Sequence, residues 1–166
     1  MRNRIIAIVL IVFCLSGCFP SGNAAMVNFY YPRAEYGYNT EDGVIAAEVR
    51  NNGGISSAAP LLTLYLKGPL DEKLRNPFPA GLSVISVYTL EDTVYVTLTD
   101  ALATLSGAPL ILTCCCIGRT AMELTGANSA QIQCYNLLLD GKKFITVNDQ
   151  TVFYSDTFHQ AETGVS

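Results

Sequence analysis

An apolar run at the start of the chain limits which residues can belong to the fold. Arg2 and Arg4 precede residues 5–15, which are apolar almost without interruption. A run of this length matches the core of a signal peptide, whereas a helix that crosses a bilayer needs about 20 apolar residues. We therefore expect residues 1–17 to be a signal peptide that is removed and takes no part in the folded domain.

The residues that end this run predict a lipid anchor. Leu15-Ser16-Gly17-Cys18 resembles the bacterial lipobox, in which the cysteine thiol receives a diacylglyceryl group before cleavage. Two or three acyl chains bury enough methylene groups to hold a protein on a membrane. We expect lipidation at Cys18, residues 18–25 as the lipidated linker, and an extracytoplasmic location on the cell membrane. The alternatives are plain secretion, a retained anchor, or a Cys18 that is only an apolar residue.

The remaining chain has the size of one domain and an acidic charge balance. Without Arg2 and Arg4 it carries eight basic and 14 acidic residues, a net charge of −6. The longest basic run is Lys142-Lys143, so nucleic-acid binding is not expected, because phosphate neutralisation needs clustered cations. We expect residues 26–155 to fold as one domain and residues 156–166 to form a flexible tail.

The cysteines beyond Cys18 leave two interpretations open. Cys114, Cys115 and Cys116 are consecutive, and Cys134 follows. Consecutive positions on a helix point about 100° apart, so the three cannot converge on one metal ion, and no metal site is expected. They are either small apolar side chains of a buried helix or, in part, one half of a disulfide with Cys134, which export would permit.

Hydrophobic patterning predicts a small α+β domain. Ser57, Pro60 and Gly68-Pro69 mark the start and end of one helix, and an apolar second helix is predicted over residues 108–124. Alternating segments flank Glu91-Asp92 and predict a β-hairpin. Further strand-like runs lie at residues 26–31, 44–50, 130–135, 143–147 and 151–154. The order β-β-α-β-β-α-β, with more β structure at the end, predicts a two-layer fold: a small mixed sheet with two main helices on one face.

Several of these segments resemble the GerMN domain of sporulation and spore germination proteins. The resemblance covers residues 26–143 and rests on Phe29-Tyr30-Tyr31-Pro32, Leu64-Tyr65-Leu66-Lys67-Gly68-Pro69, Phe78-Pro79-Ala80-Gly81-Leu82, the hairpin and Leu139-Asp140-Gly141. It implies an extracytoplasmic lipoprotein with a domain similar to ring-building motifs. Such domains occur in proteins that help to assemble complexes between mother cell and forespore, and in other envelope lipoproteins. The chain departs from the family at Thr97-Leu98-Thr99-Asp100 and in its cysteine triplet.

Catalytic signatures do not stand out in the sequence. The single histidine, His159, lies in the polar tail, and a Ser-His-Asp or Cys-His arrangement would need it beside a nucleophile. The adjacent pairs Asp71-Glu72 and Glu91-Asp92 are typical of surface turns, and no phosphate-binding glycine pattern occurs. We expect no enzyme activity, no catalytic residue and no cofactor.

Two functions remain as hypotheses. The first is a lipid-anchored assembly or scaffold protein of the cell envelope, with protein partners or self-assembly through a strand edge and through Tyr30, Tyr31, Tyr36 and Tyr38. Tyrosine combines apolar area with a polar tip and is favoured at interfaces, although these residues can equally pack on their own sheet. The second is a lipoprotein that binds a small ligand or a cell-wall fragment in a concave site.

Overall fold

The computed structural model describes residues 24–35 and 43–148. This part of the chain contains six strands, two helices and one short 3-10 turn. In chain order they are β1 (Met26–Pro32), β2 (Ile45–Asn51), α1 (Ala58–Tyr65), β3 (Val84–Leu90), β4 (Thr93–Leu98), the 3-10 turn (Asp100–Thr104), α2 (Gly107–Thr125), β5 (Ser129–Cys134) and β6 (Ile145–Asn148).

The strands form two separate sheets. One has four strands in the order β3-β4-β5-β6, with β4 and β5 parallel and the other two pairs antiparallel. Its inner face carries fully buried apolar residues at alternate positions, among them Val94, Val96 and Ile132. Both helices pack on this face. The other sheet is the antiparallel pair of β1 and β2.

Helix α2 is the central element of the core. It begins after Ser106 and ends at Gly126, whose left-handed φ of 73° lets its N–H bond to Met122 O. By length and apolar composition α2 could cross a membrane. Its side chains instead fill the protein interior between the four-stranded sheet and β1, with Leu110 and Ile117 fully buried. It is therefore the core helix that its nearly all-round apolar sequence predicts.

Strand β1 lies along α2 instead of joining the larger sheet. Tyr30 N donates to Thr120 Oγ1 at 3.0 Å, and Asn28 Nδ2 donates to Glu123 Oε1 at 2.9 Å. The N–H of Tyr30 on the unpaired edge of β1 is thus satisfied by a side chain of the helix, and the side-chain bond of Asn28 adds a second link. These contacts also place the beginning of β1 near the C-terminal end of α2, on the helix side of the four-stranded sheet.

Aromatic side chains join β1 to α1. The rings of Tyr31 and Tyr65 lie 4.8 Å apart, and the rings of Phe29 and Phe78 lie 5.4 and 4.9 Å from that of Tyr65. Tyr31 OH donates to Tyr65 O at 2.8 Å, and Tyr65 OH donates to Tyr30 O at 2.7 Å. Burial raises the pKa of both hydroxyls above the usual range. The Tyr-Pro end of β1 and the tyrosine near the end of α1 therefore form one cluster.

The α+β class, the element order and the hairpin are confirmed, while the arrangement of strands differs in one respect. The sequence predicts one mixed sheet; the structure has a mixed four-stranded sheet and a separate pair. Local patterning identifies strands but not which strands pair when they lie far apart in the chain. Here β1 forms hydrogen bonds with α2 and does not join the four-stranded sheet. The strand expected over residues 151–154, the signal peptide and the tail lie outside the described residues.

Candidate assembly surface

Strand β3 is an edge strand whose residues are mostly exposed. It spans seven residues without a charge or a proline, and five of them are exposed to solvent. The large side chains of Ile85, Tyr88 and Leu90 are 45%, 52% and 60% exposed. Natural edge strands are usually protected by charges, prolines or short length. Apart from an irregularity between Val84 and Ser86, β3 has none of these devices.

The hairpin geometry determines which backbone groups of β3 face outward. Glu91 and Asp92 form a two-residue turn, so Leu90 and Thr93 are the closing pair. In such a hairpin the closing pair is hydrogen-bonded, and bonded pairs then alternate with non-bonded ones. The N–H and C=O groups of Val87 and Thr89 therefore point away from β4. No hydrogen bond to these groups occurs within the described residues.

Within the described residues, the outer edges of β6 and β2 carry protecting features. Strand β6 has only four residues and follows Lys142 and Lys143. Strand β2 carries the ion pair of Glu48 and Arg50. The contrast makes β3 the edge of the described domain that is best suited to pair with another strand.

The outer face of the four-stranded sheet is mostly polar and carries no charge at its paired positions. The outward positions are Ser86, Tyr88, Leu90, Thr93, Tyr95, Thr97, Ser129, Gln131, Gln133, Thr146 and Asn148. The rings of Tyr88 and Tyr95 stack across the hairpin, with centroids 4.8 Å apart and planes 5° from parallel. Thr93 and Ser129 share a hydrogen bond of 2.8 Å, and Gln133 Nε2 donates to Thr97 Oγ1 at 3.0 Å. In a domain rich in acidic residues, this face is a neutral surface that extends to the edge strand β3.

A shallow depression of about 500 Å³ lies at β2 and the end of α1, lined in part by Val49, Arg50 and Leu70. Arg50 bonds to the Glu48 carboxylate and donates to Gly68 O at 2.7 Å. Glu48 Oε1 in turn accepts from Leu70 N at 2.8 Å. Arg50 and Glu48 therefore brace the loop after α1. No residue of the β3–β4 hairpin lines the depression.

The predicted contact tyrosines divide into three groups. Tyr36 and Tyr38 lie outside the described residues. Tyr31 is fully buried in the aromatic cluster, so for this residue the structure fits the alternative of packing within its own domain. Tyr30 is half-buried, with the guanidinium of Arg119 4.4 Å above its ring. Alternation along β1 places Tyr31 inward, and tyrosine content alone cannot show which face is covered.

The four described cysteines are all buried, and none of them is in a disulfide. Cys114 packs in the main core, whereas Cys115 and Cys116 pack with Ile45 of β2. Cys134 Sγ lies 3.7 Å from Thr99 O and donates to it. Cys114 and Cys134 lie in the same core cluster but are not bonded to each other, so the structure does not contain the disulfide that the sequence left open. Burial raises the pKa of the Cys114 thiol far above its usual range. Cys18 lies outside the described residues.

Two carboxylates organise the loop between β5 and β6. Asp100 accepts from Asn136 N at 2.8 Å, and this bond is the main reason that the pKa of its carboxyl lies below the usual value. Asp140 Oδ2 accepts from Gly107 N at 2.8 Å, at the start of α2. Both carboxylates therefore have structural partners. Within residues 24–35 and 43–148, no group of side chains is arranged to hold a metal ion; His159 lies outside these ranges.

The sequence did not single out Ile85, Tyr88 and Leu90 as surface residues. The hairpin itself was visible in the alternating pattern. That β3 is an edge strand follows only from the sheet order, in which β4 pairs with β5 on its other side. The absence of charge from β3 was the available signal.

Comparison with solved structures shows the same fold in sporulation proteins. The first GerMN domain of the sporulation protein GerM from Bacillus subtilis matches with a TM-score of 0.55 and 15% identity, over 76% of this chain and 98% of that chain. The tandem GerMN domains of the same protein match with a TM-score of 0.55 and 16% identity, over 82% of this chain and 50% of that chain. At these identities the likeness concerns the fold alone.

Sequence comparison identifies the family. A search of curated proteins returns no match. The family model named Germane, described as sporulation and spore germination, matches residues 28–143. That span is well over half of the chain and contains all elements from β1 to β5 apart from the first two residues of β1. The resemblance to GerMN domains is thereby confirmed, and the protein belongs to the Germane family of sporulation and spore germination.

Proposed function

We propose that this protein is a lipid-anchored, extracytoplasmic assembly module of the cell envelope that acts in sporulation or spore germination without catalysing a reaction. The observation that carries the assembly role is the exposed, uncharged edge of β3 beside a neutral sheet face. Exposed strand edges recognise other chains through main-chain hydrogen bonds, and alternate side chains add specificity. The membership in the Germane family supports the biological setting.

The anchor gives such an edge its physical advantage. A diacylglyceryl group on Cys18 would confine the domain to a membrane surface, where the effective concentration of neighbouring chains is high. Only residues 18–25 would separate the lipid from β1, so the domain stays within a few nanometres of the bilayer. A contact that is too weak to persist in solution is then sufficient for assembly.

The non-catalytic role is supported by what the charged groups do. Asp100 and Asp140 hold backbone N–H groups, and Glu48 pairs with Arg50. Each of these bonds stabilises a loop or a helix terminus. Groups committed in this way are poor candidates for acid–base chemistry, which needs a carboxyl that can reach a substrate.

The anchor is tested with Cys18→Ala in the full-length chain. We expect the variant to leave the membrane fraction on carbonate washing and to lose incorporation of a radiolabelled fatty acid. Cys134→Ala is the matched control and should stay lipidated and membrane-bound. A Cys18→Ala protein that remains in washed membranes would refute the anchor.

The assembly surface is tested with Thr89→Lys. Thr89 is exposed on β3, and a charge there obstructs pairing with another strand without touching the core. Thr146→Lys is the matched control, because Thr146 is an exposed threonine on the opposite edge strand. Complexes from growing and sporulating cells are compared by native electrophoresis after chemical crosslinking. We expect Thr89→Lys alone to remove the higher-mass species; equal patterns in all three proteins would refute the role of β3.

A further inference from the structure

We infer that β3 pairs with β3 of a second copy of this chain in antiparallel orientation, which joins two four-stranded sheets into one of eight strands. This inference rests on the proposed function and names the partner of the same surface. It follows from three properties of the described domain: the outward backbone groups of β3, the position of the acidic turn, and the side of the sheet on which β1 begins.

The backbone of β3 is complementary to itself. Val87 and Thr89 present their N–H and C=O groups outward, with one residue between them. In an antiparallel pair centred on Tyr88, Val87 of one copy bonds reciprocally with Thr89 of the other. Tyr88 then faces Tyr88 of the second copy across a non-hydrogen-bonded pair, in which side chains approach most closely. The stacked rings of Tyr88 and Tyr95 would continue as one aromatic row across both copies.

The charge pattern favours the antiparallel direction. The strand itself is neutral, and its nearest charges are Glu91 and Asp92, both at the C-terminal end. Antiparallel pairing places the two acidic turns at opposite ends of the new interface, each beside the neutral beginning of the other strand. Parallel pairing would set four carboxylates side by side, which is destabilising for like charges that face each other.

The direction is also compatible with two anchors in one membrane. A twofold axis that relates antiparallel edge strands runs perpendicular to the sheet, so both helix layers lie on the same side. Strand β1 begins on this side, along α2, where Asn28 bonds to Glu123. Both copies therefore begin β1 on the same side of the joined sheet, which is compatible with two anchors in one bilayer. A twofold axis along β3 would give parallel strands with the helix layers on opposite sides of the sheet.

Disulfide trapping with Tyr88→Cys tests the pairing. Directly opposite residues of a non-hydrogen-bonded pair have Cα atoms about 4.5 Å apart, within the range of a disulfide. The full-length protein is oxidised mildly in membranes of the cells that express it and analysed without reductant. We expect a covalent dimer as the main species for Tyr88→Cys. Leu90→Cys is the matched control on the same face. It should give at least tenfold less covalent dimer, because the residue opposite it in the second copy is Ser86. Wild type reports the background from the native cysteines.

Combining variants separates this inference from the proposed function. Adding Thr89→Lys to Tyr88→Cys should reduce the dimer at least tenfold, whereas adding Thr146→Lys should not change it. Absence of the Tyr88→Cys dimer, with native complexes still lost in Thr89→Lys, would overturn self-pairing and leave β3 as the site for another protein. Equal crosslinking of Leu90→Cys and Tyr88→Cys would overturn the proposed register. Loss of the dimer on adding Thr146→Lys would overturn the pairing through β3. If Thr89→Lys changes neither complexes nor crosslinking, both proposals are wrong.

Discussion

Replacing Gly118 by alanine tests how tightly α2 packs on the larger sheet. Glycine in the interior of a helix costs about 0.5–1 kcal/mol relative to alanine, so helix propensity alone predicts stabilisation. A methyl group at Gly118 would, however, lie 2.7 Å from Val147 Cβ and 2.8 and 2.9 Å from its two γ-carbons. Ordinary contacts between carbon atoms are about 3.5–4.0 Å. Val147 is fully buried on β6 and cannot move aside without displacing its strand.

The balance of these two effects gives the expected sign. Overpacking of a close-packed core costs about 1–3 kcal/mol, which exceeds the gain in helix propensity. We expect Gly118→Ala to lower the free energy of unfolding by about 1 kcal/mol and the thermal midpoint by about 3–5 °C. Thermal unfolding of the full chain followed by circular dichroism measures both quantities.

A double-mutant cycle isolates the steric cause. Val147→Ala removes both γ-carbons and keeps Cβ, so the cost of Gly118→Ala in that background should fall in part, by about 0.5 kcal/mol. Independent effects of the two substitutions would show that the destabilisation has another origin. A Gly118→Ala protein more stable than wild type would refute the close approach of α2 and β6.

Three further outcomes follow from the structure. Tyr31→Phe should cost about 1 kcal/mol in urea unfolding, because it removes the buried hydrogen bond to Tyr65 O; unchanged stability would contradict this bond. The pKa of the Asp100 carboxyl is lowered mainly by the hydrogen bond from Asn136 N. The ionised carboxyl therefore stabilises the folded state above about pH 4, the pKa in the unfolded chain, and this stabilisation is lost as the pH falls through the pKa in the folded protein. The difference in thermal midpoint between wild type and Asp100→Asn should therefore narrow from pH 6 to pH 3, and a constant difference would speak against it. A thiol-selective reagent should label the four described cysteines slowly in the native protein and rapidly in the unfolded protein. Fast labelling of the native protein would contradict the burial of Cys114, Cys115, Cys116 and Cys134.

Much of the local structure could be predicted because its signals act over a few residues. Gly126 predicts the end of α2 and has the left-handed conformation that ends it. The alternation on both sides of Glu91-Asp92 predicts the hairpin, and the observed turn contains these two residues. Pro60 and Gly68 limit the first helix, which the structure places at Ala58–Tyr65. In each case propensity, turn chemistry and hydrophobic period agree.

The candidate site was less predictable because exposure depends on the complete sheet. Tyr31 and Tyr88 are both tyrosines in strands, yet one is fully buried beside α1 and the other is half exposed on an edge. Their sequence surroundings do not distinguish them. The thiol of Cys134 similarly bonds to Thr99, a contact 35 residues away along the chain. Such partners are brought together only when the strands pair.

The sequence by itself determined the α+β class, the order of the elements, the hairpin and the family resemblance, because these depend on local periodicity and on short motifs. It also produced the expectation of a lipid anchor at Cys18, which lies outside the described residues. The tertiary structure decided that β1 bonds along α2, that the strands divide into two sheets, and that β3 is left as a neutral, unprotected edge. Strand pairing depends on contacts between residues far apart in the chain, so the surface on which the proposed assembly depends exists only once the fold is complete.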